Sequence, residues 1–140
     1  MSLRLPIAAL AALTMICAPA VAQSDSRHNL RLTLDEQALF LSEMRVMLGS
    51  VQQIAEGLGR GDRALIIEAA RRSGNRMARD TPTSVRAKMP KTFEALGGPT
   101  HLMFEELAIR AETDDMDQLT QHLADTMKQC MACHAAFRVR

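Results

Sequence analysis

Apolar residues recur at helical spacing along four stretches of the chain, and none of the four alternates strictly between apolar and polar residues as a strand does. The first stretch opens with TLDE, in which Thr33 can cap a helix and Glu36 can reach back to the cap. Its predicted inward-facing residues are Leu34, Leu41, Met44, Leu48, Val51, Ala55 and Leu58. GLGRG, residues 57–61, predicts the end of this helix, because its glycines disfavour continuation.

The second helix is predicted to begin at Asp62, which is a suitable N-cap residue. Its predicted buried residues are Leu65, Ile66, Ala69, Ala70 and Met77. Pro82 restricts the residue before it and predicts the end of the helix. The following stretch, 79–99, contains three prolines and a glycine pair, so we expect it to be irregular apart from a short helical piece in KTFEAL.

The third helix is predicted to start at Pro99 or Thr100, because proline suits the first turn of a helix. TDDMD supplies a connection and a cap for the fourth helix, and the pattern predicts that His122 is exposed. The predicted inward face of the fourth helix comprises Met116, Leu119, Leu123, Met127, Cys130, His134 and Phe137. Four amphipathic helices with short connections predict an all-α fold, in the form of an antiparallel four-helix bundle.

The N-terminal sequence has the three parts of a secretory signal. Arg4 provides a positive charge, an apolar run extends over residues 5–17, and Ala20 and Ala22 form a small-residue cleavage pattern. We therefore expect a signal peptide at 1–22, a flexible leader at 23–31 and one helical domain at 32–140, exported to the periplasm. The apolar run is too short to span a bilayer, so no membrane association is expected after cleavage.

The predicted mature chain is electrically balanced and poor in aromatic residues. Loss of Arg4 with the signal leaves 16 basic residues against 16 acidic ones. This balance gives no electrostatic reason to expect nucleic acid or an anionic membrane as a partner. The chain has no Trp or Tyr and only four Phe, so a bound cofactor would supply the large flat apolar body that such a core lacks.

The sequence CMACH, close to the C-terminus, is the attachment signature of c-type haem. Cys130, Cys133 and His134 lie three and four residues apart, so on a helix they project into one region. The two thiols add to the vinyl groups of haem, and the imidazole binds the iron. The motif thus predicts one covalent haem c, with His134 as a metal ligand.

Three other interpretations of the cysteines compete with this one. A redox-active pair of the thioredoxin kind lies near a strand in a βαβ pattern, which is missing here. A zinc site needs a second Cys or His pair at suitable spacing, and none is present in the sequence. A disulfide between the two would close a very short loop and constrain little of the unfolded chain.

On these residues the chain resembles the cytochrome c′ family and its low-spin, methionine-ligated relatives, from about Leu32 onward. Those proteins are exported four-helix bundles with the haem motif at the C-terminus. In them the motif is followed, after two residues, by an aromatic and a basic residue, which are Phe137 and Arg138 in CMACHAAFR. The family commonly has Tyr at the first of these places. Arg138 is also expected one helical turn beyond His134, where a guanidinium can pair with a haem propionate.

The resemblance implies that the residue opposite His134 on the iron comes from the first helix, a few residues before a glycine. Met44 in EMRVMLGS fits that position, and it also lies on the predicted apolar face between Leu41 and Leu48, where a methionine can instead serve only as core. Met47, one turn away, is the next candidate, and Met77 and Met103 on other helices have weaker claims. Ligation by Met44 predicts a six-coordinate electron carrier that serves redox partner proteins and is not an enzyme. Without it, the resemblance implies a five-coordinate haem that binds small gas ligands such as NO or CO. Family members often form antiparallel dimers, so a homodimer is compatible with the resemblance.

Overall fold

The structure, a computed structural model, describes residues 24–140 and is mostly helical there, which confirms the predicted all-α class. The predicted signal peptide, residues 1–22, lies outside the described residues. The helices are α1 (Leu34–Arg60), α2 (Arg63–Ser73), α3 (Asn75–Asp80), α4 (Thr83–Arg86), α5 (Lys91–Arg110) and α6 (Met116–Ala136), and the strands are β1 (His28–Asn29) and β2 (Phe137–Arg138). Across residues 24–140, no helix combines the length and apolar character that a bilayer crossing demands.

The predicted caps of α1 are confirmed. The Thr33 backbone N–H donates to Glu36 Oε2 at 2.8 Å, and Thr33 Oγ1 accepts from the Glu36 backbone N–H at 3.4 Å. These two hydrogen bonds satisfy donors that the first turn of a helix leaves without partners. At the other end, Gly61 adopts a φ of 67°, a left-handed conformation that glycine takes without steric cost.

The buried face of α1 differs from the predicted one. Phe40, Met47 and Ile54 are buried, whereas Leu34 and Leu48 are 82% and 69% exposed. The observed set also advances in steps of three and four, and it comprises residues 40, 44, 47, 51, 54 and 58. It shares Met44, Val51 and Leu58 with the predicted set. Two adjacent stripes of this helix are apolar, so periodicity alone does not determine which of them is covered.

The second predicted helix is divided in two. Asp62 caps α2 as predicted, with its Oδ1 accepting from the Leu65 backbone N–H at 3.0 Å. The helix stops at Ser73 rather than near Pro82, because the backbone turns away from helical geometry at Gly74. Met77, predicted on the same helix, lies on α3 and still packs against the main core.

The predicted start of the third helix at Pro99 is wrong, because α5 begins eight residues earlier at Lys91 and includes Pro99 in its interior. Pro90 precedes the first turn, and KTFEAL forms the beginning of this same helix. A proline in a helix interior removes one hydrogen bond and costs about 3 kcal/mol. Complete burial of Phe104 and Leu107 on the same helix offsets that cost.

The four longer helices form a closed ring of contacts, in which α1 packs on α2, α2 on α5, α5 on α6 and α6 on α1. The α1–α6 contact is the least extensive of the four. The main core cluster lies inside the ring and includes Met47, Ile54, Ile66, Phe104, Leu107, Leu119 and Leu123. Met44 and Met116 are partly buried at its edge.

A second apolar group, which we call the terminal cluster, consists of Leu30, Leu32, Phe40, Val85 and Phe137. It joins the two ends of the described chain, because β1 pairs in parallel with β2 and the Leu30 backbone N–H donates to the Arg138 carbonyl at 3.0 Å. The sequence predicts a flexible leader at 23–31. From His28 onward this segment instead pairs with β2, and Leu30 is only 3% exposed.

Candidate functional site

The last turns of α6 place both cysteines on the buried side of the helix. Cys130 and Cys133 continue the face of Leu119, Leu123 and Thr126, which are buried. Both thiols are free and partly buried, and Cys130 Sγ lies 3.5 Å from the carbonyl oxygen of Thr126. The two sulfurs are thus held three residues apart on one apolar face.

Burial raises the pKa of both cysteine thiols, and the charge of Cys130 raises the pKa of Cys133 further. Cys133 packs against the terminal cluster, and Phe93 and Leu96 of α5 pack against the same cluster. Apolar surroundings disfavour a thiolate, whereas a reactive redox cysteine needs a lowered pKa. The site therefore lacks the electrostatic activation expected of a thiol–disulfide exchange centre.

His134 lies on the flank of α6 that is turned away from Cys133. Relative to Cys130, Met127 and His134 occupy one flank and Cys133 the other. The His134 side chain is exposed and makes no hydrogen bond with any residue in the range 24–140. Its backbone carbonyl accepts from Arg27 Nη1 at 3.3 Å, so the N-terminal segment contacts this turn. The imidazole is consequently free to bind a group outside the protein chain.

Met44 lies on the flank of α1 that faces away from α2. Ser50, three residues after the buried Met47, faces α2, since its Oγ accepts a hydrogen bond from the Ser73 hydroxyl at 2.8 Å. Met44 is three residues before Met47, so it lies on the other side of Met47 from Ser50, away from α2. It is partly buried and packs against both the main core and the terminal cluster. Because α6 is the other neighbour of α1, Met44 belongs to the α1–α6 side of the ring.

The α1–α6 side carries apolar side chains that residues 24–140 leave uncovered. Leu41 is partly buried and Leu48 is 69% exposed on the flank of Met44, and Met127 is 45% exposed on the flank of His134. The Met44 thioether and the His134 imidazole lie on the flanks that border this surface, the Cys130 thiol lies on the buried face beside it, and the Cys133 thiol lies on the far flank of α6, against the terminal cluster. The donor set fits a haem c, because thiols would hold its vinyl carbons, an imidazole and a thioether would bind its iron, and the uncovered apolar surface suits its apolar ring.

Three of the four phenylalanines gather beside the cysteines, which the sequence did not reveal. The ring centroid of Phe93 lies 5.8 Å from that of Phe40 and 5.3 Å from that of Phe137. Such tilted and edge-to-face arrangements stabilise a cluster beyond simple burial. The sequence did not place Phe93 on a helix, because it falls in the stretch predicted to be irregular.

The structure places Arg138 in β2 rather than on a helical turn, because α6 ends at Ala136 and the chain becomes extended. Its Nε lies 3.7 Å from Asp25 Oδ2 and its Nη1 contacts the Arg140 carbonyl. The Nε atom is buried and has no hydrogen-bond partner among residues 24–140. The helical placement of Arg138 is wrong, and its pairing with a propionate stays a prediction.

The other two helical histidines, His101 and His122, are both engaged within the protein. His122, predicted to be exposed, is 7% exposed, and its Nε2 lies 2.9 Å from the Met103 carbonyl of α5. The Nδ1 of His101 lies 2.7 Å from the Ser73 carbonyl, which ties α5 to α2. Both rings are used in helix packing, so His134 remains the better candidate for an iron ligand.

Within the part of the chain that the structure describes, no three or more His, Cys, Asp or Glu side chains come together to hold a metal ion. The cysteines thus find no companions for a zinc site there. A scan against family models and searches of curated proteins and of solved structures returned no match. The assignment of the site therefore depends on its residues and their geometry.

Proposed function

We propose that the chain is an exported monohaem c-type cytochrome that carries electrons between redox partner proteins. The observation that carries the proposal is the placement of two free thiols and an unengaged imidazole on the end of α6, beside an uncovered apolar surface. A helical scaffold with a ring of four packed helices supports a four-helix bundle of the cytochrome c′ type. In this proposal the protein is not an enzyme.

Each residue of the site has one role. Cys130 and Cys133 would hold haem c through thioether bonds, and the His134 imidazole and the Met44 thioether would bind its iron. When bound, the haem supplies a one-electron couple between ferric and ferrous iron. The terminal cluster excludes water from the Cys133 side, and Met ligation together with apolar surroundings raises the reduction potential.

Export is the second part of the proposal. Residues 1–22 have the pattern of a signal peptide, and the periplasm is a compartment in which exported c-type cytochromes meet their redox partners. The balanced charge of the mature chain supports partners other than nucleic acid or a membrane surface. A homodimer stays a prediction.

One observation favours a second candidate function. Met44 already packs against both apolar clusters, which is the ordinary role of a core methionine. If Met44 keeps those contacts in the loaded protein, the iron is five-coordinate and its open side is apolar. Such a site binds small neutral gas molecules such as NO or CO.

Absorption spectra distinguish the two functions. They are recorded in both oxidation states for the purified exported protein and for its Met44→Leu and Met47→Leu variants. The two changes are alike in chemistry and volume, and both positions are in contact with the main core. We expect Met44→Leu to convert a six-coordinate low-spin spectrum to a high-spin one and to permit CO binding by the reduced protein.

Met47→Leu should leave the spectrum unchanged. A Met44→Leu spectrum identical to that of the unmodified protein would remove Met44 from the iron. A high-spin, CO-binding spectrum in the unmodified protein would establish the second candidate. A protein without any haem spectrum would exclude both.

A further inference from the structure

A basic groove lies on the face of the molecule formed by α2, α3 and α5, whereas the cysteines lie on α6. Its volume is about 800 Å³, which is in the range of small-ligand sites. Ala64 and Ile67 contribute apolar surface to the groove. Its basic residues are Arg71, Arg72, Arg76 and Arg79.

The four arginines differ in how far they are neutralised. Arg72 is held by Glu68 at 3.0 Å and also contacts the side chain of Gln53, so its charge is balanced locally. Arg71 has only a loose ion pair, 3.6 Å from Glu112. Arg76 and Arg79 are exposed and form neither an ion pair nor a side-chain hydrogen bond with any residue from 24 to 140.

The acidic residues of the groove are already engaged. Glu68 pairs with Arg72, and the Glu105 carboxylate accepts a hydrogen bond from the Asn75 backbone N–H at 3.1 Å. Arg72 is balanced by Glu68 and Arg71 by Glu112, so the unpaired positive charge of the groove is that of Arg76 and Arg79. A smaller hollow of about 280 Å³ adjoins it, shares Arg72 and Arg76, and adds the carboxylates of Glu43 and Asp80 on its wall.

We propose that this groove binds a small oxyanion that carries at least two negative charges, in the form of phosphate or carboxylate groups. Guanidinium groups match the planar or tetrahedral oxygen geometry of such anions and bind them through paired N–H donors. Two unengaged arginines three residues apart, Arg76 and Arg79, lie one helical turn from each other on α3. They can present two guanidinium groups to one ligand. This proposal does not depend on haem binding.

Isothermal titration calorimetry of the purified exported protein at low ionic strength tests it, with inorganic pyrophosphate as one probe and citrate as the other. We expect saturable one-to-one binding of at least one probe. Arg76→Gln and Arg79→Gln should each weaken binding by about fivefold to tenfold, since each removes a charge-assisted contact at an exposed position. Asp80→Asn should strengthen binding, because it removes a negative charge beside Arg76.

Arg45→Gln is the matched control, because it removes the same charge from an exposed position on α1 outside the groove. It should leave the affinity within about twofold of the original. Binding of pyrophosphate alone assigns a phosphate ligand, and binding of citrate alone assigns a carboxylate ligand. The proposal is overturned if neither probe saturates, or if Arg45→Gln weakens binding as much as Arg76→Gln does. Circular dichroism spectra of all variants confirm that each is folded.

Discussion

Truncation of Leu30 tests whether the N-terminal segment is part of the folded domain. Leu30 is 3% exposed and packs in the terminal cluster with Phe137 and Cys133, directly after β1. Leu→Ala changes at buried positions cost about 2–5 kcal/mol. We expect the lower end, about 2 kcal/mol, because β1 and β2 are only two residues long and the segment can relax.

The matched control is Leu34→Ala. Leu34 lies four residues later at the start of α1, is 82% exposed, and undergoes the same chemical change. Its truncation should alter the free energy of unfolding by less than about 0.5 kcal/mol. The pair of variants therefore separates burial from the effect of removing a leucine.

Urea unfolding followed by circular dichroism measures the difference. With an m-value of about 1.5 kcal/mol/M, a loss of about 2 kcal/mol lowers the midpoint of Leu30→Ala by about 1.3 M. The Leu34→Ala midpoint should fall within about 0.3 M of the unmodified protein. Equal midpoints for the two variants would show that residues 28–32 do not dock, and would refute the terminal cluster as a structural unit.

Two further predictions concern glycines and thiols. A Cβ at Gly57 would lie 2.7 Å from Ile66 Cγ1, so Gly57→Ala should destabilise the protein by about 1–3 kcal/mol. A Cβ at Gly49 would meet nothing within 4 Å, so Gly49→Ala should stabilise the helix and the protein by about 0.5–1 kcal/mol. The urea midpoints of the two variants check this, and shifts of equal sign would contradict the α1–α2 packing. Burial raises the pKa of Cys130 and Cys133 above the ordinary value of 9.0. In the haem-free chain the folded state therefore binds the thiol protons more tightly than the unfolded state does. Their contribution to stability is thus complete below about pH 9 and is lost as the pH rises through the raised pKa. The urea midpoint should therefore fall more steeply above about pH 9 than it does in a Cys130→Ala, Cys133→Ala double variant, and equal slopes would show that the thiols are not buried.

Features that depend on local hydrogen bonds were predictable from the sequence. Thr33, Asp62 and Asp115 each cap a helix, because a side-chain oxygen reaches a backbone N–H only three residues away. The haem motif is local in the same sense, since its three side chains lie within five residues of one helix. The all-α class and the position of the cysteines on α6 follow from such local patterns.

Features that depend on distant partners were not predictable. The choice between Phe40 and Leu41 as a buried residue of α1 is made by the neighbouring helices, not by spacing. The pairing of His28 with Phe137 joins residues at opposite ends of the domain and leaves no periodic signal in either strand. Pro99 is tolerated inside α5 because packing around Phe104 offsets the lost hydrogen bond.

Mass spectrometry of the purified exported protein shows directly whether haem is bonded to Cys130 and Cys133, as we propose. After denaturation, acid–acetone extraction and proteolysis, the peptide that contains residues 130–134 should carry the mass of one haem and retain its absorption. The same peptide with two unmodified thiols, in a colourless protein, would rule out haem attachment at these cysteines.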